Sequence, residues 1–233
     1  MDSKNISLVI PIFNEELNIV NLFDEIISSQ SYQNINTIIY VNDCSTDNSL
    51  NVLNSLKKKY DKIHIINHAS NMGQSNCILS ASKYSKDDLI LTIDGDGQND
   101  PLNINNLIEI YKLDSQVKLV AGIRKFRKDN LVKIFSSKLA NYFRMKILKD
   151  DCVDTGCSLK LFDKRIFLSF PFFNGIHRFL PALYKGFGHN VIFAEVNHRR
   201  RKYGQSKYGT IGRLINGIKD LKKVFLIIRE NNK

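Results

Sequence analysis

An apolar run, Ser7–Phe13, opens the patterned part of the chain, and the period then changes. Through Glu15–Ser29 the apolar positions Leu17, Val20, Leu22, Phe23, Ile26 and Ile27 recur at helical spacing. The alternation repeats. Thr37–Val41 reads as a buried strand, followed by a helix carrying Leu50, Leu53 and Leu56, with Ser45 or Thr46 as its expected cap. Ile63–Ile66 is a third strand, and Gln74–Tyr84 is a helix of small residues. Leu89–Ile93 is a fourth strand, after which Asp100 and Pro101 suit the cap and first turn of a helix running to Tyr111. Val117–Ile123 is a fifth strand. This rhythm predicts an α/β fold, a mostly parallel central sheet flanked by helices. Ligands of such sheets bind beyond the carboxyl ends of the strands. Three polar clusters fall at those ends: Asn14-Glu15-Glu16, Asn42-Asp43 and Asp94–Asp100.

Composition narrows the picture. With 233 residues and 43% hydrophobic positions the chain can bury a real core, which excludes wholesale disorder. No run approaches the roughly 20 apolar residues that a spanning helix needs. The start lacks a basic segment followed by an apolar one, so no secretory leader is expected. Cys44, Cys77, Cys152 and Cys157 form no C-x-x-C pair and read as reduced thiols of a cytosolic protein. Charge is polarised. Residues 1–110 hold seven Lys and Arg against fourteen Asp and Glu, whereas residues 111–233 hold 27 against nine. A uniformly basic chain would suggest general nucleic-acid binding. An acidic half joined to a basic one suggests instead a metal site facing phosphate or an anionic membrane.

The chemical centre is Asp94-Gly95-Asp96-Gly97-Gln98. Two carboxylates on one tight turn can reach a single divalent cation, and hard oxygen ligands suit Mg²⁺ or Mn²⁺ with a diphosphate. An EF-hand loop would need Gly at its sixth position and Glu at its twelfth; here these are Asn99 and Asn105. A phosphatase with an Asp nucleophile in D-x-D-G-T would need Thr where Gln98 stands.

In order, the motifs PIFNEE, VNDCSTD, NMGQ and DGDGQNDP resemble those of the family 2 glycosyltransferases. The later DTGCSLKLF and HRRRKYGQSKYG resemble the polyprenyl-phosphate branch, the group that includes dolichol-phosphate mannose synthase. The resemblance implies a GT-A type nucleotide-diphospho-sugar transferase fold. It implies that Pro11, Phe13, Glu15, Asp43 and Asp94 bind the donor, and that Asp94, Asp96 and Gln98 hold Mg²⁺ or Mn²⁺. Asn71–Gln74 is either a donor contact or an ordinary turn and helix start. Asp96 and Asp154 are the catalytic carboxylates of the comparison. Hydroxyl-acting members use a carboxylate as general base. A phosphate monoester, with a second pKa of about 6, is already largely ionised at pH 7. With such an acceptor a strong base is less necessary, and Asp154 then orients groups or stabilises positive charge; the alternative is a helix cap or loop anchor. Arg124, Lys133, Arg178, Arg201 and Lys207 are the matched phosphate or acceptor cations, with an ion pair as the alternative for Arg178. Arg199, Arg200 and Lys202 read as a solvated or membrane-facing run.

Toward the end of the chain, Ile211, Leu214, Ile215, Ile218, Leu221, Val224, Phe225 and Ile228 recur at helical spacing among Lys and Arg. Such a helix lies in a bilayer interface, packs on the domain or joins a homo-oligomer. The expectation is a GT-A domain at 1–205 and an amphipathic helix at 206–233. Its function is an inverting, metal-dependent transfer of sugar from a UDP- or GDP-sugar to a polyprenyl phosphate. It would act at the cytoplasmic face of the membrane as a peripheral protein, without nucleic acid. The alternatives are transfer to a sugar hydroxyl, a D-x-D phosphatase, and a basic nucleic-acid or membrane-binding module.

Overall fold

The computed structural model describes residues 5–125, 144–203 and 210–232, with side chains of the last helix described from residue 217. The first half follows the expected alternation: β1 (Ile6–Ile12), α1 (Glu16–Ser28), β2 (Ile35–Asn42), α2 (Ser49–Lys57), β3 (Ile63–Asn67), α3 (Gln74–Tyr84), β4 (Leu89–Thr92), α4 (Asn103–Leu113) and β5 (Val117–Arg124). The second half adds β6 (Lys160–Asp163), α5 (Lys164–Ser169), α6 (Leu180–Gly186), β7 (Asn190–Val196) and α7 (Thr210–Asn231).

One seven-stranded sheet has the order β3-β2-β1-β4-β6-β5-β7. Every pairing is parallel except those of β6, which runs antiparallel to both β4 and β5. Strand residues alternate between two buried layers, as expected for a sheet covered on both faces. Leu8, Ile10, Leu91 and Leu161 face α1, α2 and α4. Val9, Ile39, Ile90 and Phe162 face α3, α5, α6 and Val224 of α7. The chain order reverses between β1 and β4, and the crevice beyond their ends is where this architecture places a ligand.

Two expected caps are corrected. Neither Ser45 nor Thr46 caps α2. Ser45 Oγ accepts from the Asn14 amide at 3.0 Å, and the Thr46 amide donates to Asn14 Oδ1 at 2.7 Å. The Ser49 amide is met by Asp47 Oδ1 at 2.9 Å. Asp100 forms the turn before α4, accepting from the Leu102 amide at 3.1 Å, rather than its cap. At α2 the side chains serve the neighbouring Asn14 loop, at α4 Asp100 closes its own turn, and each helix starts later.

Candidate active site

The first wall of the crevice is built around Asp43, just past β2 and 4% exposed. Its Oδ1 accepts from the Met72 amide at 2.9 Å and its Oδ2 from the Gly73 amide at 2.8 Å. Its Oδ1 also lies 2.8 Å from His68 Nδ1, whose other nitrogen meets Ser80 Oγ at 3.0 Å. Gly73 sits at φ +84°, a region open to glycine, and α3 starts directly after it. Asn71–Gln74 is thus both a helix start and a structural brace of Asp43. Cys77 approaches Asp43 and His68 closely enough for a three-ligand cluster. Burial, then the charge of Asp43, pushes the Cys77 thiol well above its usual range.

The second wall is the Asp94–Gln98 turn. Gln74 Nε2 donates to Asp94 Oδ1 at 2.7 Å, which joins the start of α3 to the acid pair. Gly95 is held against β1. A Cβ there would lie 2.4 Å from Ile12 Cδ1 and 3.0 Å from the Pro11 carbonyl oxygen. The Gln98 amide donates to Asp96 Oδ1 at 3.1 Å, and Arg201 Nη2 donates to Asp96 Oδ2 at 2.6 Å. Arg201 Nη1 also lies 3.6 Å from Glu15 Oε1. Arg201 arrives because residues 98–99 pair with 198–199. Asn99 and His198 form an antiparallel bridge, and the Arg199 amide donates to the Gln98 carbonyl at 2.8 Å. Pro11 and Phe13 lie partly exposed at the end of β1 beside this turn.

Burial, then the charge of Asp96, pushes the Asp94 carboxyl up to about 6, while Ser158, Lys160 and Arg124 pull it down. Crowded carboxylates of this kind, with a carboxamide beside them, suit a hard divalent cation. A ligand of this type binds a cation only after losing its proton. Mn²⁺ affinity should therefore weaken as pH falls through about 6, by up to about tenfold per pH unit. Lys160→Met removes one downward influence and should move that midpoint to higher pH. Mn²⁺ binding followed by electron paramagnetic resonance across pH 5–8 checks both statements. An unchanged midpoint in the variant would refute the role given to Lys160.

The third wall comes from the basic half. Arg124 Nε and Nη2 donate to Asp154 Oδ2 and Oδ1 at 2.6 and 2.7 Å, a two-pronged pair, and the Arg124 amide adds a bond of 3.2 Å. Gly156 keeps room for this pair, since a Cβ there would lie 2.8 Å from Arg124 Nη2. Arg178 donates to Asp220 Oδ2 of α7 at 2.6 Å, the ion pair expected as the alternative to an acceptor contact. Arg199 is not simply solvated, because it bridges Glu25 and Asp100 at 2.6 Å each. Lys133 and Lys207 lie outside the described residues.

Sequence reasoning passed over Lys160, His68 and Ser75, the residue of α3 that follows Gln74. Lys160 is 3% exposed, sits opposite Thr92 in the β4–β6 ladder and donates to the Cys157 carbonyl. Its signal was a single Lys inside the apolar run Leu159–Phe162, where a charge is costly unless the site uses it. His68 and Ser75 carried no such signal, because their partners are distant in sequence.

The chain matches the family model described as Glycosyl transferase family 2 over residues 7–169. A dodecaprenyl-phosphate galacturonate synthase of Rhizobium johnstonii is 33% identical, over 98% of this chain and 69% of its own length. An undecaprenyl-phosphate 4-deoxy-4-formamido-L-arabinose transferase of Shewanella sediminis is 30% identical, over 93% of this chain and 65% of its own. The chain thus spans about two thirds of these curated relatives. Among solved structures, the Mycobacterium tuberculosis glucosyl-3-phosphoglycerate synthase with Mn²⁺, UDP and glucosyl-3-phosphoglycerate aligns with a TM-score of 0.71. It is 14% identical over 97% of this chain and 80% of that one, a likeness of fold.

Proposed function

We propose that this chain, which belongs to glycosyl transferase family 2 and has the GT-A glycosyltransferase fold, moves a sugar from a nucleotide-sugar to a polyprenyl phosphate. An oxygen of the ionised acceptor phosphate bonds to the anomeric carbon. The bond from that carbon to the donor diphosphate breaks, the nucleoside diphosphate leaves, and the configuration inverts. No proton has to be removed from such an acceptor at pH 7.

The observation that carries this reading is the Arg124–Asp154 pair. Both Asp154 oxygens accept from the guanidinium, so the carboxylate is held as an anchor rather than poised as a base. Asp154 positions Arg124, and Arg124 and Arg201 supply the cations an ionised acceptor needs, with Arg gripping phosphate in a forked geometry. Lys133, Lys207 and Arg178 remain candidate acceptor contacts. Pro11, Phe13, Glu15, Asp43 and Asp94 frame the donor. Asp94, Asp96 and Gln98 would hold Mg²⁺ or Mn²⁺, which when bound neutralises the diphosphate and improves it as a leaving group. UDP and GDP donors both fit this proposal.

The same reading divides the chain into a catalytic domain at 1–205 and a helical appendage at 206–233, lying on the cytoplasmic face of the membrane. Val224 is buried against the domain, while Ile218, Phe225 and Leu226 are exposed beside Lys222 and Arg229. An apolar and basic outer face of this kind suits an anionic lipid surface. Among the described residues no helix is long and apolar enough to cross a membrane.

The test is transfer of labelled sugar from a panel of UDP- and GDP-sugars to undecaprenyl phosphate in liposomes, with Mn²⁺ or EDTA. Label in the lipid phase that EDTA abolishes is the expected result. Transfer only to a sugar hydroxyl would overturn the acceptor assignment and make Asp154 the base.

A further inference from the structure

We propose that the Nε2–H of His177, held as a donor by Ser75, hydrogen-bonds a phosphoryl oxygen of the reacting substrates. His177 lies in the turn between α5 and α6, far in sequence from the acid pair yet joined to it through two adjacent residues of α3. Gln74 bonds Asp94, and Ser75 Oγ lies 2.6 Å from His177 Nδ1.

The direction of that bond follows from the hydrogens available. Ser75 Oγ already accepts from the Gly175 amide at 2.8 Å. If Nδ1–H also donated to it, the Ser75 hydroxyl hydrogen would have no acceptor among the described residues, at a site 3% exposed. A buried hydroxyl left unmatched is costly. Ser75 therefore donates to Nδ1, which places the ring proton on Nε2. Nε2 has no hydrogen-bond partner among the described residues, and the ring is only partly buried.

Charge fixes what this donor can face. Burial, with Lys160 and Arg178 nearby, lowers the His177 pKa to about 3, so the ring is neutral at working pH. Lys160 acts on both His177 and Asp94. With Arg178 paired to Asp220, the unpaired charge near this N–H donor among the described residues is Lys160, and the donor is linked through Ser75 and Gln74 to Asp94, so it matches an anionic oxygen of a ligand held by the acid turn. That oxygen comes either from the donor diphosphate or from the acceptor phosphate. Only this naming of the substrates rests on the transfer reading above.

Two substitutions separate the donor from the brace. His177→Asn offers its amide oxygen near Nδ1 and keeps the Ser75 bond but loses the Nε2 donor. His177→Gln reaches the Nε2 position with an N–H. His177→Asn should lose about 10- to 100-fold in kcat/KM with an unchanged melting temperature, and His177→Gln should recover most of it. A fall in Mn²⁺-UDP affinity by calorimetry assigns the contact to the donor diphosphate. A raised KM for the lipid phosphate alone assigns it to the acceptor. His177→Asn with wild-type kinetics and both affinities unchanged would overturn the proposal. Nitrogen-15 NMR of the wild type tests it without any variant: a neutral ring protonated on Nε2 from pH 5 to 8 is expected. An Nδ1–H ring, or one that titrates in that range, overturns it. Absence of sugar transfer by the wild type would sink the transfer reading and leave the NMR result standing.

Discussion

Asp96→Asn should lower sugar transfer by about a thousandfold, close to 4 kcal/mol of transition-state stabilisation, while the protein stays folded. Asp96 is 8% exposed and carries two jobs. It is one of the two carboxylates proposed to hold the divalent ion, and it is the partner of Arg201. The amide keeps the size of the side chain but brings an NH₂ group toward a guanidinium that needs an acceptor. Glu15 still faces Arg201, so the segment should not detach. Wild-type enzyme in EDTA should fall to a similar level, and adding Mn²⁺ should rescue the wild type but not the variant. Retention of more than a tenth of wild-type transfer by Asp96→Asn would remove this carboxylate from the reaction.

Arg124→Leu should cost about 3–5 kcal/mol of stability, the usual result of stripping one partner from a buried ion pair. Asp154 is 4% exposed and would lose both bonds from the Arg124 guanidinium. The Arg124 side chain is itself mostly buried, so solvent screens the pair little. Asp154→Asn added to Arg124→Leu should restore part of the loss, because it removes a buried charge that has lost its two-pronged bond. Urea unfolding of the two single variants and the double variant measures the coupling. A single-variant cost below about 1 kcal/mol would mean that the pair behaves as a surface contact and does not anchor the acceptor wall.

The legible part of the molecule was the part written in local patterns. The five strands and four helices of the first half follow from runs such as Thr37–Val41 and from helical spacing in Glu16–Ser28. The Asp94–Gln98 turn was legible because D-x-D after an apolar run is a local signature. The antiparallel strand β6 was not. It is four residues long, interrupts its own apolar run with Lys160, and finds its neighbours, β4 and β5, only through the fold. β7 was passed over although most of its residues are apolar, because its partner among the described residues is β5, more than 60 residues earlier. The caps failed for a related reason: Ser45, Thr46 and Asn14 hydrogen-bond across two loops, and no local rule weighs a partner some 30 residues away. Arg199 read as part of a charge run, but its two carboxylates, Glu25 and Asp100, come from opposite ends of the first half.

The reversed strand has a consequence for how the two sides of the crevice can vary. The donor wall is made of exits, where parallel strands β1, β2 and β4 leave the sheet and their next residues line the site. Because β6 runs the other way, the residues before it reach the same rim as an entrance, so 154–159 arrive there without belonging to any exit. Exchanging that entrance should retune the acceptor while the exits go on holding the same donor. Variants altered only between 154 and 156, short of Ser158 and its bond to the acid turn, should therefore change lipid-phosphate KM and leave nucleotide affinity where it was.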